Sequence, residues 1–183
     1  MPKIIQFQLP KAKQEVKVIT HYVTAAIHSL LSDKELMKAE NLIFHNNPLE
    51  DPNVNDKKII KDVNDGECYK TAYTHYCSNK EKDLLCPLIL FVDKTHTDAK
   101  GSLTLEPVCI TLGIFNQNTR NKEEAWRIIG FIPNLDGVSK KKLTSDEKHS
   151  DYHALLNVVL APLAVLQTYN FLGKWITTTS CLT

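Results

Sequence analysis

Nine consecutive residues without a charge, Leu84 to Val92 (LLCPLILFV), run between Asp83 and Asp93. A short apolar run bounded on both sides by charge predicts a strand buried on both faces, inside a sheet rather than on its wet surface. The residue that leaves such a strand is held by the sheet, so the carboxylate of Asp93 is fixed in position. Phosphoryl-transfer centres that use two metal ions need carboxylates placed in this way. One is not enough, because a hard cation such as magnesium takes several oxygen ligands in near-octahedral geometry. Asp98 and His96 are the nearest companions, in a following loop where solvated side chains are the ordinary outcome.

The chain on either side alternates between helical and extended patterns. Val18, Tyr22, Ala25 or Ala26, and Leu30 recur at three- and four-residue spacing, which predicts an amphipathic helix over 17–31. Ser32 or Asp33, with Glu35, predicts the capped start of a second helix, DKELMKAENLIF. His21 and His28 ride on the first helix as ordinary surface or core residues. His45 to Asp56 is dense in Asn, Asp and Pro and reads as a linker, dividing a helical N-terminal region (1–56) from a core (57–183). Glu67 to Ser78 predicts a short helix with Tyr69, Tyr73 and Tyr76 along one side. Packing is the usual fate of such tyrosines, and stacking on bases the less common one.

Leu103 to Phe115 and Trp126 to Pro133 predict two more strands. Pro107 lacks an N–H, so it marks a bulge, a strand start or an edge. Asn134 to Lys148 is a polar loop containing Lys140, Lys141 and Lys142. Ser150 to Thr168 predicts a helix capped by Ser150 or Asp151, kinked at Pro162, and apolar enough to be buried against a sheet. Three strands and a covering helix after a helical region make an α+β or α/β chain.

Composition narrows function only by exclusion. Lys and Arg number 22 against 21 Asp and Glu, a formal charge of +1, so overall charge argues for neither nucleic acid nor anionic membrane. No span approaches the roughly 20 apolar residues of a membrane helix, and the N-terminus lacks the pattern of a signal peptide. An intracellular chain without membrane contact is expected. The five cysteines form no C-x-x-C pair, and reduced thiols are the default.

The motifs LCPLILFVDKT (85–95), LEPV (105–108), TLGIFN (111–116), TRNK (119–122), AWR (125–127), GFIP (130–133) and DYH (151–153) together resemble the Plavaka-type transposases of the Kyakuja-Dileera-Zisupton group. The similarity covers about residues 58 to 175. It implies the start of an RNase H-like fold: three strands, a crossover helix over 150–168, and a further strand beginning near Trp175 beside the first. It also implies that Asp93 is the first metal-binding acid of a DDE centre using Mg2+ or Mn2+. DNA would be the partner and the nucleus the location. The second and third acids of that pattern are expected beyond Trp175, where ITTTSCLT holds no carboxylate. Glu147 and Asp151 are the internal substitutes to consider. The expectation is therefore a partial core that is inactive alone. The alternative is a non-enzymatic DNA- or protein-binding module using Arg120, Lys122, Arg127 and the Lys140, Lys141, Lys142 run.

Overall fold

The computed structural model describes residues 2–43, 62–79, 83–96, 104–135 and 142–168. In chain order these form strands β1 (Lys3–Gln8) and β2 (Glu15–Thr20), helix α1 (Val23–Leu31), helix α2 (Glu67–Tyr76), and strands β3 (Leu88–Val92), β4 (Thr95–His96) and β5 (Thr104–Leu112). Helix α3 (Gln117–Arg120), strand β6 (Arg127–Ile132) and helix α4 (Ser145–Thr168) complete them. The sheet has the order β1-β2-β6-β5-β3, with β4 also paired to β5. The chain divides into two compact units. The first takes residues 1–26, 90–110 and 127–163, and the second takes 27–89, 111–126 and 164–183.

The expected mixed fold is present, and so are the three strands and the following helix, but residues 1–56 do not begin with a helix. Lys3–Gln8 and Glu15–Thr20 pair as an antiparallel hairpin, and Ile19 and Thr20 continue the pairing onto Phe131 and Gly130 of β6. The reason lies in EVKVIT, where Val16, Val18 and Thr20 are buried and Glu15, Lys17 and Ile19 are exposed. That is a period of two in a β-branched segment. The helical spacing becomes real only from Val23. The second expected helix is also absent. Asp33 accepts from the N–H groups of Glu35 and Leu36 (3.0 and 3.2 Å), giving one turn that stops, and a 3-10 turn follows at Ala39–Asn41. Asn41 and Ile43 then exchange backbone hydrogen bonds with Asn116 and Ile114 (2.8 and 2.9 Å), which overrides helix propensity. The linker 45–56 lies outside the described residues.

Strand β3 is not buried on both faces as its composition suggests: Leu90 is 38% and Phe91 52% exposed. It stands last in the sheet order, with β5 the one described strand beside it. In β5, Pro107 sits opposite Phe131, and the register shifts between Val108 and Cys109. The open choice for Pro107 thus resolves to a position next to a bulge. On β6 the shift leaves Ile129 and Gly130 buried in succession, which strict alternation cannot do.

Helix α4 begins at Ser145, five residues before the expected start. Thr144 and Glu147 close a capping box, the Glu147 carboxylate accepting from the Thr144 N–H (2.9 Å) and the Thr144 hydroxyl from the Glu147 N–H (3.2 Å). Rather than being buried on most sides, it buries one stripe, Asp151, Leu155, Val159 and Leu163, while Val165 is 55% exposed. Val159 packs on Gly130. A Cβ on Gly130 would lie 2.7 Å from Val159 Cγ1 and 2.9 Å from the Ile19 carbonyl oxygen. Gly130→Ala is therefore expected to cost about 1–3 kcal/mol through overpacking, read as a lower urea midpoint at unchanged slope. On the other face of the sheet the register aligns Ile4 with Ile19, Ile19 with Phe131, and Phe131 with Pro107, an apolar row across four strands.

Candidate functional site

Asp93 leaves β3 exposed, and no hydrogen bond or ion pair joins it to another described residue. The strand that carries it is well anchored. Pro87, just before β3, accepts from the Gly113 N–H at 2.7 Å, and a Cβ on Gly113 would meet the Pro87 ring at 3.0 Å. Just after Asp93, Thr95 and His96 pair with Leu105 and Thr104 of β5. The carboxylate thus sits between β3 and β4, each of which pairs with β5.

The remaining acids do not gather round it among the described residues. Glu147 is engaged in the cap of α4. Asp151 is 1% exposed, with both carboxylate oxygens committed to the turn between β1 and β2: Lys11 N–H donates to one at 2.7 Å and Ala12 N–H to the other at 2.9 Å. That turn needs support, because Lys13 holds a left-handed backbone with φ of 56°. Among the described residues no group of three or more His, Cys, Asp or Glu is placed to hold a metal ion. Asp93 supplies one hard oxygen donor, which is fewer than magnesium or manganese requires, so these residues alone do not fit a metal centre. Asp98 lies outside the described residues.

The expected DNA contacts separate by position. Arg120 is turned inward. Its guanidinium donates to the carbonyl of Phe115 (2.6 Å) and to that of Gly113 (3.5 Å), and pairs with the Asp62 carboxylate at 2.6 Å, the two side chains being 14% and 15% exposed. Asp62 also accepts from the Val63 N–H at 2.6 Å, and the Trp126 indole donates to the Arg120 carbonyl at 2.6 Å. A side chain used in this way is not available to a phosphate. Lys122 and Lys142 are exposed and Arg127 is half-buried, while Lys140 and Lys141 lie outside the described residues.

Sequence reasoning missed these internal partners. Asn116 caps α3 by accepting from the Thr119 N–H (2.9 Å) and donates to the Glu40 carbonyl (2.8 Å). Thr119, 1% exposed, pairs with Asn41 at 3.0 Å. Burial, together with the neighbouring Glu106 carboxylate with which it hydrogen-bonds, raises the Tyr152 phenol above its ordinary range. The tyrosines of α2 pack, as the more ordinary reading has it: Tyr73 is buried and stacks on Tyr69 with centroids 6.4 Å apart. Burial first, and then Cys77, Tyr73 and Cys86 nearby, push the Tyr69 phenol up to about 12.

Burial alone pushes the Cys86 thiol from an ordinary 9.0 up to about 12. A thiol whose folded pKa is raised holds its proton while the unfolded chain loses it, so stability is intact below pH 9 and falls as pH rises towards 12. Urea midpoints measured across that window are expected to decline, and less steeply in Cys86→Ala.

Pro87, Gly113, Asn116, Thr119, Arg120, Trp126, Gly130 and Asp151 thus have structural tasks, and Asp93 is the motif carboxylate left at the surface. A model of the Plavaka transposase family matches residues 4–172. The chain belongs to that family. The Plavaka match starts within β1, so the hairpin missed as strand is part of the family's sequence. No curated protein and no solved structure matches the chain. Among the described residues of this Plavaka transposase family member, no helix is long and apolar enough to cross a membrane.

Proposed function

We propose that the chain forms the opening part of an RNase H-like transposase core, in which Asp93 is the first acid of a Mg2+- or Mn2+-dependent centre for DNA cleavage and strand transfer. The observation that carries this reading is the order β6-β5-β3, in which three successive long strands lie side by side and Asp93 leaves the first of them, with α4 following the third. Its exposure, where the other motif carboxylates Glu106 and Asp151 are hydrogen-bonded within the fold, supports a role outside packing. What the chain itself does is hold that carboxylate fixed and accessible. Among the described residues no second acid stands beside it, so the chain is expected not to cut DNA by itself. A DNA substrate would place it in the nucleus. Incubating the purified chain with Mg2+ or Mn2+ and linear or nicked DNA is expected to leave the DNA intact. Cleavage that disappears on Asp93→Asn would refute the proposed inactivity while supporting the acid.

The exposure of Lys122 and Lys142 favours a second reading, a module that binds DNA without cutting it. Such binding would weaken steeply with salt and fall in Lys122→Ala and Lys142→Ala, as fluorescence anisotropy would register. Affinity absent even at low salt would remove it.

A further inference from the structure

We draw no further inference here: the strongest candidate, the apolar row of Ile4, Ile19, Phe131 and Pro107 on the sheet face opposite α4, carries nothing because nothing in the structure shows what covers it.

Discussion

Replacing Arg120 by alanine is expected to lower the stability of the chain by about 2–4 kcal/mol, somewhat less than the roughly 3–5 kcal/mol for breaking a fully buried ion pair, because both side chains keep some contact with solvent. Asp62 would keep its bond from the Val63 N–H but lose its counter-charge, and the carbonyls of Gly113 and Phe115 would lose their donor. A domain is stable by about 5–15 kcal/mol in all, so the variant should sit near its unfolding transition at room temperature. Urea unfolding followed by tryptophan emission is the suitable measurement, because the Trp126 indole bonds to the Arg120 backbone. A double variant, Arg120→Met with Asp62→Leu, should recover part of the loss by removing the stranded charge. If Arg120→Ala instead unfolds like the parent and weakens DNA binding, the residue is a surface contact after all.

The second large effect is expected at Asp151. Its carboxylate is fully buried and answers two backbone donors of the β1–β2 turn. Asp151→Ala removes the acceptor of both donors and should cost about 2–4 kcal/mol, since a hydrogen bond to a charged group contributes about 1.5–3 kcal/mol and water can take up part of the loss at exposed Lys11 and half-buried Ala12. Asp151→Asn keeps one acceptor and turns an NH2 towards the other donor, so it should recover little. Amide hydrogen exchange would localise the damage: Lys11 and Ala12 lose protection first. Unchanged protection at those two amides would sink the assignment. If Asp151 instead served a metal, its replacement would leave the hairpin intact.

The parts of the fold legible in the sequence are those with one strong local signal. The long apolar runs at Leu88–Val92 and Arg127–Ile132, and Glu67–Tyr76 with its tyrosine stripe, lie close to where pattern alone puts them. The hairpin was hidden because Val18, Tyr22 and Leu30 satisfy a helical spacing across the junction of a strand and a helix. Alternation in EVKVIT is the local signal that would have separated them. Helix α4 announced its start through Thr144 and Glu147, three residues apart, ahead of the apolar stretch that drew attention to Ser150.

The candidate site divides along the same line. The place of Asp93 at a strand exit was legible because it depends only on the strand before it. The inward turn of Arg120 was not, since its partner Asp62 lies 58 residues away. Nor was the task of Asp151, whose donors lie 140 and 139 residues back. A charged residue in a motif reads as surface chemistry until its distant partner is known.

The docking of β2 on β6 has a consequence in time. The hairpin leaves the ribosome before the strand that borders it and the carboxylate that ties its turn, both of which are made more than a hundred residues later. Until then it is a two-stranded piece, which is at best marginally stable alone. Closing such distant contacts carries an entropic penalty before any reward, so this family member should fold slowly, and the residues of the hairpin should be among those that wait longest for their partners.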